Sequence, residues 1–207
     1  MLARLHSVTL EGIEGIVCEV EVDVARGGFE KSMIVGLPDA AVKESVERVR
    51  SAIVNSGFRN PKTASLVNLA PANVKKAGPG FDLPIALGML VGQGALVSSA
   101  LNDTIIVGEL ALDGRVRPVN GVLSMAMSAA AKGFARMIVP LGNAREAGVV
   151  QDVEVFGVGS LAQAAGFLCE QLPLEPTNID VEGLFNVASN YDVDFQTLRA
   201  RKASRGR

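Results

Sequence analysis

The chain has no tryptophan, a single tyrosine (Tyr191), a single histidine (His6) and two cysteines among 207 residues. Each shortage removes a class of function. With eight phenylalanines as nearly its whole aromatic content, the chain argues against a stacking platform for single-stranded nucleic acid. One histidine, placed in the alternating run Leu5-His6-Ser7-Val8, supports neither a multi-histidine metal site nor a His-dependent triad. Cys18 and Cys169 sit in apolar surroundings without CxxC or metal spacing, which predicts two reduced thiols and no metal. No apolar run reaches membrane-spanning length, and the opening MLARLHSV lacks a secretory pattern. These features predict a soluble, cytoplasmic protein with no membrane partner.

What is present suits a close-packed α/β domain: 48% hydrophobic residues and 22 glycines. The net charge of -2 conceals an uneven distribution. Residues 196–207 carry Arg199, Arg201, Lys202, Arg205 and Arg207 and no acid, leaving 15 basic against 22 acidic residues in the rest. Such a basic, apolar-poor tail is expected to be disordered and could add salt-sensitive affinity for nucleic acid. Residues 171–195, mixed in Pro, Asn and acids, read as a linker, and residues 3–170 as the domain.

Along that domain, Leu2–Leu10 and the run after Gly15 read as strands joined by a turn, with Val20, Val22 and Val24 alternating with Glu19, Glu21 and Asp23. Gly27-Gly28 predicts a further turn, from which Phe29–Val35 returns as a third strand. Asp39 is a fitting N-cap for a helix through Val42, Val46, Val49 and Ile53, closed near Gly57, with Glu44 and Arg48 spaced as an ion pair. A strand over Ser65–Ala70 leads to the loop Lys75-Lys76-Ala77-Gly78-Pro79-Gly80 and an apolar helix over Leu83–Leu90. Asp82 fits as that helix's capping acid. Asp113-Gly114 predicts a two-residue hairpin between Thr104–Leu112 and Arg115–Val119. Short strands and helices then alternate to Cys169, giving an α/β architecture with a mixed sheet rather than a doubly wound parallel one.

Four ordered blocks carry a resemblance: residues 36–58 (GLPDAAVKESVERVRSAIVNSGF), 68–90 (NLAPANVKKAGPGFDLPIALGML), 108–123 (GELALDGRVRPVNGVL) and 143–147 (NAREA). Together they resemble the amino-terminal domain of the YifB/ComM group of magnesium-chelatase-like ATPases. The resemblance implies a two-layer α/β fold of Lon-protease-like, ribosomal S5 domain-2 type. It also implies an adjoining AAA+ module that uses ATP and Mg2+, a homo-hexamer, and work on DNA as a branch-migrating helicase during recombination. Lon-like proteases carry a catalytic serine where this chain has Gly80 and a catalytic lysine where it has Leu123, so the Ser-Lys pair is missing. No G-x-x-x-x-G-K-[ST] phosphate loop occurs in the 207 residues, so no cofactor is expected on this chain itself.

The expectation is therefore a non-catalytic domain that serves assembly and DNA engagement. Lys75, Lys76, Arg115 and Arg117 are the candidates for contact with DNA phosphate or another anion. Two alternatives stand beside it: a Ser/Lys peptidase with a different nucleophile, and a stand-alone module that binds a protein partner.

Overall fold

A computed structural model describes residues 1–25, 32–59 and 64–179. The turn at Gly27-Gly28, the start of the expected third strand, residues 180–195 of the expected linker and the basic tail lie outside the described residues.

Alternating apolar residues make a long hairpin from β1 (Leu2–Glu11) and β2 (Glu14–Val24), paired antiparallel from Leu2 opposite Asp23 to Glu11 opposite Glu14. Inward-facing Cys18, Val20, Val22 and Val24 are buried, whereas Glu19, Glu21 and Asp23 lie on the other face, as period two dictates. The next strand, β3 (Ser32–Val35), does not pair with β2. It runs parallel to β4 (Ser65–Ala70), which inserts between them and pairs antiparallel with β2. Beyond β1 the sheet continues in parallel through β5 (Thr104–Ile106), β8 (Arg136–Pro140) and β9 (Glu154–Val158). The order β3-β4-β2-β1-β5-β8-β9 is a seven-stranded mixed sheet, so the fold is mixed α/β as expected.

Two apolar clusters hold the elements together. One packs α1 (Ala40–Asn55), α2 (Asp82–Gly92) and α5 (Leu161–Leu168) onto Leu5, Val20, Val22, Val67 and Leu69. The other gathers Val8, Ile105, Met137, Val139 and Val155 around α3 (Val122–Ala131) and α4 (Ala144–Ala147). Every residue of α2 is buried, which explains its lack of a polar face. It lies so close to the sheet that a β-carbon at Gly88 would come within 2.6 Å of Val22 Cγ2.

The ends of α1 follow the sequence. Asp39 Oδ1 accepts the Val42 N–H at 2.8 Å, and Gly57, at φ +85°, lets the Phe58 N–H return to the Ile53 carbonyl. Arg48, however, leaves Glu44 and turns inward to Asp82, making that pair tertiary rather than helical. The 104–112 strand is interrupted at Gly108, whose N–H donates to the Gly80 carbonyl and whose own carbonyl accepts the Leu83 N–H. The break leaves β5 before it and β6 (Glu109–Leu110) after it, and β6 pairs antiparallel with β7 (Val116–Arg117). Their loop follows the Ala111 N–H to Arg115 carbonyl bond, so it spans three residues, Leu112-Asp113-Gly114, with Gly114 at φ +83°. This corrects the two-residue expectation, and a left-handed glycine in third place is a common alternative.

The described part of the expected linker is docked. The Thr177 N–H donates to the Val155 carbonyl at 2.7 Å, the Gln151 side chain donates to the Ile179 carbonyl, and Leu174 packs on the main core.

Candidate functional site

The loop from Ala77 to Phe81 reaches the mouth of α2 through a short 3-10 turn at Pro79–Phe81. Three anchors fix it. Asp39, while capping α1 with one carboxylate oxygen, accepts the Gly78 N–H with the other at 3.0 Å. Gly108 takes the Gly80 carbonyl at 2.9 Å. Beneath the loop, Asp82 is fully buried and paired with Arg48, whose Nε and a terminal nitrogen reach the two carboxylate oxygens at 3.0 and 3.1 Å. The Leu110 N–H also donates to Asp82 Oδ2. Burial pushes the Asp82 carboxyl up to about 6, against the pull of Arg48 and the Leu110 N–H. Asp82 is thus the anchor of a buried ion pair; it makes no cap hydrogen bond for α2.

Opposite this loop runs Pro118-Val119-Asn120. Asn143 holds it as a strand partner would: Oδ1 accepts the Val119 N–H and Nδ2 donates to the Val119 carbonyl, both at 2.9 Å. Nδ2 also meets Glu146 Oε2, and Glu146 Oε1 accepts the Leu123 N–H at 3.1 Å at the start of α3. Glu146 therefore does for α3 what an N-terminal side-chain cap does, from a different helix. The sequence reads Asn143–Gly148 as a short helix, which α4 bears out, but not the cap that it supplies to α3. The available signal was an asparagine followed three residues later by a glutamate.

Between the two walls lies a half-open, mainly apolar cleft of about 300 Å³, lined by Val8, Leu10, Phe81, Val119 and Met125, with Gly80 on its wall and Glu109 and Asn120 as polar members. Gly80 avoids the left-handed region, and a β-carbon there would meet only Val119 Cγ1 at 3.9 Å. The glycine is therefore not forced by packing. Leu123 stands at the start of α3, 39% exposed, with no amine to offer. Gly80→Ser is expected to leave stability within about 0.5 kcal/mol and to produce no peptide cleavage. Thermal unfolding and a fluorogenic peptide assay check this, and cleavage by the variant would show that another base serves the site.

The four anion candidates are not alike. Lys75 is exposed. Lys76 is fully buried, its ammonium donating to the Pro71 carbonyl and its backbone bonded to Leu37 and Asp39, so it presents no charge to a phosphate. Desolvation lowers its pKa. Sequence pattern could not separate these adjacent lysines; the bridge between Pro38 and Lys76 turns the second one inward. Arg115 and Arg117 are exposed but engaged, with Asp113 at 2.7 Å and Glu109 at 3.2 Å. No serine hydroxyl among the described residues meets a lysine amine; Ser45 and Ser32, for instance, bond to the Val42 carbonyl and to Ser65. Nor do any three His, Cys, Asp or Glu among them form a metal-holding group. No described helix is long and apolar enough to cross a membrane.

The model of the family "Subunit ChlI of Mg-chelatase" matches residues 20–143, more than half of the chain and nearly all of both cleft walls. The chain belongs to the Mg-chelatase ChlI family. Within it the relatives place this chain in the YifB/ComM group. It is 39% identical to competence protein ComM of Haemophilus influenzae over 201 residues, covering 95% of this chain and 38% of that protein. Identity to the uncharacterised protein YifB of Salmonella typhimurium is 38% over 167 residues, 81% of this chain and 33% of the relative. A more distant likeness, 28% over 145 residues, joins 65% of this chain to 18% of Lon protease 4 of Sorangium cellulosum. This ChlI-family chain spans about a third of the length of the YifB/ComM relatives it matches.

Proposed function

We propose that this chain is a non-catalytic, Lon-like domain of a magnesium-chelatase-type AAA+ protein of the ComM kind. It serves assembly and DNA engagement during recombination of incoming DNA, inside a hexamer whose ATP- and Mg2+-using module lies on other residues. The observation that supports this reading is the cleft itself: its two walls are braced by Asp39, Gly108 and Asn143, and Gly80, which the resemblance matches to a protease nucleophile, lines it without a side chain, while Leu123, matched to the amine, carries none. A Ser-Lys mechanism needs both groups within hydrogen-bond reach. The naming of one relative as a competence protein supports the link to DNA uptake.

The DNA part of this reading narrows to Lys75 and the basic tail, because Lys76 is buried and the two arginines are paired. Its test is duplex binding across a salt series by three forms: the unaltered chain, Lys75→Glu, and a form with Arg199, Arg201, Lys202, Arg205 and Arg207 changed to Gln. Binding is expected to survive neutralisation of the tail, and Lys75→Glu is expected to flatten the log-log salt slope by about one. Loss of all binding with the tail charges would remove DNA engagement from the folded domain and leave assembly alone.

A further inference from the structure

β9 is the last strand of the sheet, and its outer edge is not left open. Residues 172–179 pass over it as a strap. The strap begins at the end of α5, where the Leu172 N–H donates to the Gly166 carbonyl at 3.1 Å. Leu174 then packs on the main core, and the Thr177 N–H meets the Val155 carbonyl of β9 at 2.7 Å. At the far end the Ile179 carbonyl accepts the Gln151 side chain at 3.2 Å. Such cover is one way an edge strand is kept from pairing elsewhere. Residues 180–207 follow, so the strap stands between the domain and the rest of the chain.

The strap also touches the support of the cleft. Thr177 lies so close to Gly148, at the end of α4, that a β-carbon there would stand 2.6 Å from the Thr177 carbonyl oxygen. α4 rests on β9 as well: a β-carbon at Gly157 would come within 2.8 Å of the Ala144 β-carbon. It spans four residues and is closed by the Gly148 N–H on the Ala144 carbonyl. A helix that short is not held by its own hydrogen bonds, so its place is set by what packs on it. That place matters at the cleft. Asn143 and Glu146 accept the Val119 and Leu123 N–H groups, and a β-carbon on Gly142 would come 3.0 Å from Pro118 Cγ. The wall at Pro118-Val119-Asn120 is thus backed by residues 142–146, and the seat of Thr177 lies at the end of the same segment.

We propose that strap and cleft form one coupled unit: docking of residues 172–179 on Val155 and Gly148 seats α4, and α4 in that seat holds the 118–120 wall. When the strap leaves, Gly148 loses the cover of Thr177, and the bonds from Val119 to Asn143 and from Leu123 to Glu146 open more often. The coupling is reciprocal. Whatever stiffens the wall by filling the cleft favours the docked strap, and whatever binds the chain beyond Ile179 so as to lift the strap loosens the wall. The device lies wholly within the described residues and holds whether or not the domain engages DNA.

The test is amide hydrogen exchange, read residue by residue by NMR on the full 207-residue chain. Two variants release the strap by different means. Thr177→Pro removes the N–H that meets Val155, and Leu174→Asp puts a charge where an apolar side chain packs on the core. Each is expected to speed exchange at the Val119 and Leu123 N–H groups by about tenfold or more, while amides of the β1–β2 hairpin stay within about twofold of wild type. Thr177→Ala, which keeps the backbone bond to Val155, is expected to leave both sites as they are. Unchanged exchange at Val119 and Leu123 in the Leu174→Asp/Thr177→Pro double variant would overturn the proposal. So would an equal rise at every amide, which would make the strap a contributor to global stability alone.

Discussion

Arg48→Ala is expected to destabilise the protein by about 3–5 kcal/mol at pH 8, because it leaves the Asp82 carboxylate buried with only the Leu110 N–H for company. The cost depends on pH. In the wild-type protein burial already raises the Asp82 pKa to about 6, above the value near 3.9 of an unfolded aspartate. The folded state therefore holds its proton to higher pH than the unfolded state. This group's contribution to stability is fully present below about pH 4 and is lost as pH rises through about 6. Removing the guanidinium raises the folded pKa further, so the variant escapes part of its penalty by protonating. Urea unfolding of both proteins at pH 5 and pH 8 should show a smaller difference at pH 5. Arg48→Ala/Asp82→Asn should recover part of the loss at pH 8, since no charge is then stranded. A difference below about 1 kcal/mol that ignores pH would mean that water reaches Asp82 and that the pair is a surface interaction in energetic terms.

Gly36→Ala is expected to cost at least about 4 kcal/mol, placing it among the most disruptive single substitutions available. Gly36 sits at φ +96°, where a side chain is strained in any surroundings. Here the surroundings also forbid it: the new β-carbon would stand 2.0 Å from the Leu69 carbonyl oxygen and 2.8 Å from its carbon. Both obstacles are backbone atoms of the neighbouring strand β4, so no rotamer change relieves the clash. β3 and β4 would have to separate just where Val35 pairs with Asn68. Thermal unfolding of Gly36→Ala beside Gly57→Ala isolates the effect, because Gly57 is also left-handed, at φ +85°, but has nothing within 4 Å of its β-carbon. Equal losses in the two variants would show that backbone conformation alone, not the approach to β4, sets the cost.

These two sites show what sequence could and could not reveal. The alternation of Val20, Val22 and Val24, the cap at Asp39 and the stop at Gly57 are local rules, and the structure obeys them. The position of β4 between β2 and β3 is not local. A turn at Gly27-Gly28 predicts a neighbouring strand, yet the pairing is settled by which strands bury Val67 and Leu69 against α1 and α2. The same limit separates Lys75 from Lys76, and diverts Arg48 from Glu44 to Asp82. A charged residue in a helical pattern is assumed to face water unless a buried partner is known, and that partner lay 34 residues away. The loop at Gly80 and the helix start at Leu123 could be read from the ordering of residues around them. The support given to their walls by Asn143 and Glu146 could not, because side-chain bonds to distant backbone leave no periodic trace.

One carboxylate links two parts of the molecule that sequence would treat separately. Asp39 holds the first turn of α1 with one oxygen and Gly78 with the other, while its own N–H is bonded to the Lys76 carbonyl. Helix and cleft wall are thereby fastened at a common pivot. An outward displacement of the 77–81 loop must therefore either break the Gly78 N–H bond to Asp39 or draw on the first turn of α1. The domain is consequently built less like a bowl with a free rim than like a clasp, one jaw of which is fastened to the first turn of a sixteen-residue helix.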